Sequence, residues 1–103
     1  MRPQALFAAL SDQTRLDIFE QLAEGGPASA TEIARGVPVS RQAVAKHLSV
    51  LDEVGLVERT HVGREVRYAA RPAALASVVS WVNQVGDEWD RRLDRLREAI
   101  DEA

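Results

Sequence analysis

The chain has no cysteine, which excludes disulfide bonds, thiolate zinc sites and thiol catalysis together. Its only histidines are His47 and His61, so there is little imidazole for metal binding or proton transfer. No apolar run approaches the roughly 18 residues of a membrane-spanning helix, and Met1 to Leu10 lacks the basic-then-apolar layout of a secretory signal. A cytoplasmic protein with no membrane partner is expected. Repeats, low-complexity tracts and long linkers are also missing, so residues 1–103 are read as a single domain.

What is present is a chain of 103 residues, 46% hydrophobic and 28% charged. A domain this size buries only about 60 to 65% of its unfolded surface, so its core is thin and self-association is expected. The net charge of −3 argues at first against nucleic acid, but the total hides a segregation. Residues 1–34 and 84–103 each sum to −3. Residues 35–83 carry seven bases against four acids and sum to +3. The basic part is the middle.

Pro3 suits the first turn of a helix that carries Leu6, Phe7 and Leu10 and ends near Ser11. Ser11 or Asp12 then caps a second helix with Leu16, Phe19, Leu22 and Ala23 at helical spacing, stopped by Gly25, Gly26 and Pro27. Ser29 and Glu32 fit a capping box for a very short third helix, with Thr31 as a rival cap. From Ser40, Val44, Leu48, Leu51 and Val54 repeat at steps of 4, 3 and 3 until Gly55, which makes a helix-turn-helix candidate. The period then changes to that of a β-hairpin, Leu56–Val62 and Glu65–Ala69, turning at Gly63 and Arg64. Pro72 opens a final helix of about 30 residues, roughly 45 Å long. Its apolar positions Leu75, Val78, Val82, Val85, Trp89, Leu93, Leu96 and Ile100 form a near-heptad seam that calls for a partner helix. The expected fold is mainly α, in the order α-α-α-α-β-β-α.

If Val44, Leu48 and Leu51 face the core, then Arg41, Gln42, Ala45, Lys46 and Ser49 share the opposite face, with two bases, an amide and no acid. Arg and Lys donate to guanine or phosphate, Gln pairs with adenine, and Ala45 permits close approach. Ser40, at the helix start, adds donors for a phosphate. The hairpin bears Arg64 at its tip with Arg59 and Arg67 on its strands, where a wing reaches a minor groove. Double-stranded DNA is therefore the expected partner. A merely solvated surface is the competing account of each cation taken singly.

Three segments carry a family resemblance. Ser11-Asp12-Gln13-Thr14-Arg15-Leu16 resembles the "S/A-D-P-T-R-L" opening of ArsR/SmtB-type winged-helix repressors. Val44-Ala45-Lys46-His47-Leu48, followed by Leu51 and Gly55-Leu56-Val57, is similar to their recognition helix. Gly63-Arg64-Glu65-Val66-Arg67-Tyr68 is similar to their wing, "G-R-x-x-x-Y". The match covers roughly residues 4–71. It implies a winged helix-turn-helix with a long C-terminal dimerisation helix, forming a homodimer that binds promoter DNA as a repressor. The interface so implied joins the first and last helices, through Leu6, Phe7, Leu10, Val82, Val85, Trp89, Leu93 and Leu96.

Gln13 departs from the family's proline, and Ala45 stands where many relatives have serine. Relatives that sense metals use cysteines near the third helix or Asp/His sets on the last one. Thr31 to Gly36 has no thiol or imidazole, and Pro72 to Ala103 has no histidine, so neither a metal nor another cofactor is expected at those sites. A repressor with an unusual carboxylate/histidine metal site and a winged helix that binds only protein are the alternatives. His47, beside the apolar stripe, and His61, on the wing, are expected to serve packing or DNA contact. Asp87, Asp90, Asp94 and Glu98 step along one side of the last helix, where Asp87 to Arg91 and Glu88 to Arg92 are i,i+4 pairs of the kind a solvated helix carries. No nucleophile, base and oxyanion site assemble into an enzyme motif, and the effector is unknown from the sequence.

Overall fold

The computed structural model describes residues 2–102. Its elements run α1 (Pro3–Leu10), α2 (Gln13–Gly25), β1 (Ala28–Ser29), α3 (Ala30–Ala34), α4 (Arg41–Glu53), β2 (Val57–Val62), β3 (Glu65–Ala70), a 3-10 turn (Pro72–Ala74) and α5 (Leu75–Glu102). The expected order is present with one addition, β1. This two-residue strand is too short to show an alternation in sequence, and it pairs antiparallel with β3 through Ala28↔Tyr68 and Ser29↔Arg67. The hairpin is thereby one side of a three-stranded sheet, β1-β3-β2.

Short side-chain caps set the helix boundaries. Asp12, not Ser11, caps α2 by accepting the Arg15 N–H at 3.0 Å, while the Ser11 hydroxyl donates back to the Phe7 carbonyl at 2.9 Å. Ser29 ends β1 and also caps α3 in a complete capping box: it accepts from the Glu32 N–H, and its own N–H donates to Glu32, each at 3.2 Å. Ser40 accepts the Ala43 N–H at the start of α4.

The end of α4 is a Schellman closure. Gly55 adopts φ +87°, its N–H reaches the Asp52 carbonyl at 3.1 Å, and the Leu56 N–H reaches the Leu51 carbonyl at 2.9 Å. This reverses the chain directly into β2. At the hairpin tip Gly63 has φ +64° and Arg64 a negative φ, the pairing of a two-residue type II′ turn between Val62 and Glu65.

One aliphatic core joins these elements. Leu6, Ile18, Ile33, Val44, Leu48, Leu51 and Leu56 are fully buried, with Phe19, Leu22, Val57, Ala74 and Val78 around them. The face of α2 differs from expectation: Ile18, Phe19 and Leu22 are buried, Leu16 is half-buried and Ala23 is exposed. The reason is that α2 packs against α4 and β3 as well as α1, which turns the stripe Arg15, Ile18, Phe19, Leu22 inward.

The first and last helices differ in detail from expectation. Pro72 opens a 3-10 turn, so α5 begins at Leu75. Leu6, expected at the interface, is buried in the chain's own core at 0% exposure, while its neighbour Phe7 is exposed and stacks at a tilt on Trp81 of α5, ring centres 5.5 Å apart. Leu75 and Val78 also turn inward, whereas every residue from Gly86 to Asp101 is exposed. The molecule measures 69 × 24 × 20 Å, and its radius of gyration of 18.6 Å exceeds the roughly 13 Å of a compact 100-residue domain because α5 projects beyond the globule.

Leu6→Ala is expected to cost about 2 to 5 kcal/mol of folding stability through the cavity it leaves. Urea unfolding of the variant checks this, and the loss is expected to be one of stability rather than of self-association.

Candidate nucleic-acid interface

The burial of α4 determines what it offers to solvent. With Val44, Leu48 and Leu51 each at 0% exposure, Ser40, Arg41, Gln42, Ala45, Lys46 and Ser49 are all exposed. Arg59, His61 and Arg64 are exposed on the hairpin. Among the described residues Arg41, Lys46, Arg59 and Arg64 form no ion pair, so their charge is available to a ligand. Between α3, the first turns of α4 and the hairpin lies an open concavity of about 700 Å³, lined by Thr31, Arg35, Arg41, Ala45, Arg64 and Tyr68 among others. Thr31 and Arg35 join the candidate site only through the fold. Arg35 has a signal in the sequence, the positive balance of the middle segment to which it belongs, and Thr31 has none.

Of the residues expected at DNA, only His47 and Arg67 are not exposed; both are engaged within the protein. His47 is half-buried, its Nδ1 lying 3.9 Å from the Asp12 carboxylate and 3.5 Å from Arg15 Nη1. Arg15 Nε in turn donates to the Ala9 carbonyl at 2.7 Å. This small network ties the end of α1 and the start of α2 to α4. It shows what the Asp12 and Arg15 positions of the opening motif do here.

Arg67 is held still more firmly. Its Nη2 donates to the Pro27 carbonyl at 2.8 Å, and its Nη1 faces Glu65 at 3.5 Å and Glu32 at 3.8 Å. Arg67, expected to make wing contacts, braces β3 against the loop before β1 and against α3. Spacing places Arg67 on the hairpin but does not reveal a partner 40 residues earlier.

Two carboxyls titrate below their ordinary range. Glu32 is lowered first by the Ser29 backbone N–H and then by the Ser29 hydroxyl, with Arg67 and Arg35 adding to the effect. Asp12 is lowered chiefly by the Arg15 N–H, with the charges of Arg15 and His47 contributing. Along α5 the acids meet arginines, Glu88–Arg92 at 3.6 Å and Asp94–Arg97 at 3.8 Å, and the Arg92 guanidinium lies 5.1 Å from the centre of the Trp89 ring. Among the described residues no three His, Cys, Asp or Glu side chains gather as metal ligands would. Among the described residues no helix is long and apolar enough to cross a membrane.

A helix whose exposed half is basic and amide-bearing, followed at once by a cationic hairpin, defines a winged helix-turn-helix. Residues 10–60 match the family model described as a helix-turn-helix domain. The HTH-type transcriptional regulator Rv2034 of Mycobacterium tuberculosis is 37% identical over 99 residues, covering 96% of this chain and 89% of that protein. An ArsR-like transcriptional regulator from Rhodococcus sp. RHA1 superposes with a TM-score of 0.80 at 46% identity, covering 93% of this chain and 90% of the other. The homodimeric winged helix-turn-helix DNA-binding domain Mb0332 of Mycobacterium bovis, solved by NMR, superposes with a TM-score of 0.65 at 27% identity, covering 82% and 78%. Other relatives are named as repressors. The chain belongs to the ArsR family of winged helix-turn-helix transcriptional regulators and is a DNA-binding regulator, not an enzyme.

The lowered carboxyls give a pH prediction. A carboxyl whose folded pKa lies below its unfolded one stabilises the fold above the unfolded value and loses that contribution as pH falls through the folded value. Stability of the wild type is therefore expected to decline below the ordinary carboxylate range, near pH 4.5 for Glu32 and 3.8 for Asp12. Glu32→Gln, which keeps the cap but not the charge, is expected to flatten that acid limb when thermal midpoints are compared between pH 3 and pH 6.

Proposed function

We propose that the protein is a homodimeric repressor that occupies a pseudo-palindromic promoter operator and excludes polymerase. The observation that carries this reading is the two-sided character of α4: one face is wholly buried, and the other offers unpaired cations and an amide. In it, Arg41, Gln42 and Lys46 read or grip the major groove, Ser40, Ala45 and Ser49 allow close approach or hold phosphate, and Arg64 with His61 serves the wing. His47 and Arg67 act behind that surface, through the contacts that fix α4 and the hairpin.

The homodimer is supported by the apolar row left bare on α5, in which Val82 is 45% and Trp89 56% exposed, with Leu93 and Leu96 further along and Phe7 of α1 nearby. Half-buried Leu10 and Val85 flank it. The homodimeric state of Mb0332 agrees with this reading. Two-fold symmetry then sets half-sites about one helical turn apart, roughly 34 to 36 Å. The signal that releases DNA acts elsewhere than at the family's usual metal sites, which lack thiol and imidazole donors here.

Affinity for a duplex from the protein's own promoter region is expected to fall steeply as salt rises, because phosphate contacts release counterions. Lys46→Ala or Arg64→Ala is expected to lower the slope of log affinity against log salt by about one. A salt-insensitive interaction, or none, contradicts the reading. Trp89→Glu is expected to give monomers by light scattering, with much weaker operator binding because each half-site then lacks the partner's effective concentration.

A further inference from the structure

The concavity between α3, α4 and the hairpin contains a contradiction in charge. Three arginines line it, Arg35, Arg41 and Arg64, as suits a DNA strand, but so do two carboxylates, Glu32 and Glu65. A phosphate chain entering the cleft passes both acids, and like charges brought together in a cleft repel more strongly than on open surface.

Both carboxylates face the same nitrogen. Arg67 Nη1 lies 3.5 Å from Glu65 and 3.8 Å from Glu32, while Nη2 is anchored on the Pro27 carbonyl at 2.8 Å. That anchor comes from the loop before β1, so the guanidinium is fixed from behind. Glu32 is itself fixed by its place in the α3 capping box and does not swing out of the cleft. Of the charged residues lining the cleft, only the two acids meet a guanidinium within ion-pair distance among the described residues; Arg35, Arg41 and Arg64 do not pair.

We propose that Arg67 is a positioning residue that admits one phosphate strand of the operator to this cleft by offsetting part of the negative charge of Glu32 and Glu65, without itself contacting the DNA. The proposal rests on the DNA-binding reading above. It assigns the cleft to a phosphate strand because three unpaired guanidiniums line it beside two acids whose charge Arg67 partly offsets. It also separates two roles for wing arginines: Arg64 acts by attraction and Arg67 by reducing repulsion.

The test compares wild type, Arg67→Met, Glu32→Gln/Glu65→Gln and the triple variant for binding to the promoter duplex and to a random duplex, by fluorescence anisotropy across a salt series. Gln at position 32 preserves the capping box. Arg67→Met is expected to weaken both duplexes by about tenfold near 0.1 M salt, where such repulsion is still partly unscreened. The triple variant, which carries none of the three charges, is expected to bind at least as tightly as wild type, with a wild-type salt slope. The double glutamine variant alone is expected to bind more tightly than wild type, because it removes both repelling charges and keeps Arg67. Arg67→Lys, which keeps a cation beside both acids, is expected to bind nearly as wild type and covers the case in which Arg67→Met does not fold. A triple variant as weak as Arg67→Met, with its salt slope lowered by about one, would mean that Arg67 holds a phosphate directly and would overturn the proposal. So would an Arg67→Lys variant that folds and binds about tenfold more weakly than wild type. If wild type shows no salt-dependent binding to either duplex, the DNA-binding reading fails first and this proposal with it.

Discussion

Val44, Leu48 and Leu51 occupy one stripe of α4 and are wholly excluded from water, so the helix has a single rotational setting in the fold. Turning it would expose three aliphatic side chains, each worth about 1.5 to 3 kcal/mol of burial. With that setting fixed, Arg41, Gln42, Ala45 and Lys46 have no choice but to face solvent. The Schellman closure at Gly55 transmits the same constraint to the hairpin, because the chain leaves α4 in a defined direction and Leu56 and Val57 are buried immediately after it. Reading surface and wing thus hang from one packed stripe.

The polar contacts refine what the stripe establishes. Asp12, Arg15 and His47 connect the end of α1 and the start of α2 to the middle of α4, and Arg67 braces β3 against the β1 loop and α3. Each uses a side chain from a basic or polar motif for internal work. The exposed cationic set is consequently smaller than the number of bases in the middle segment. The cations that stay free are those at the start and middle of α4 and along the outer hairpin, with Arg35 at the end of α3. On the other side of the molecule α5 leaves its apolar row unmatched, which the thin core of a 103-residue chain cannot cover.

The sequence made legible whatever depends on local rules. Ser40 and Gly55 bracket α4 because capping is read from neighbouring residues, and the Gly63-Arg64 turn follows from the φ that only glycine takes easily. The near-heptad of α5 announced a helix with an unpaired face. What was not legible depends on distant partners. Strand β1 is two residues long and exists because β3 offers it an edge. Leu6 and Phe7 are adjacent and both apolar, and only the packing of α1 against α2, α4 and α5 decides that the first is core and the second surface. Arg67 looks like Arg64 until the Pro27 carbonyl and two glutamates are found beside it. For the same reason Arg35 and Thr31 join the cleft only when α3 is placed next to the hairpin.

The central claim is that two copies of this α4 face and wing sit together on one stretch of duplex. Hydroxyl-radical footprinting of the promoter region measures this most directly. The account predicts paired protections centred about one helical turn apart, roughly 34 to 36 Å, related by two-fold symmetry and lost together in the Trp89→Glu variant. A single isolated protection that is unchanged in that variant would contradict it.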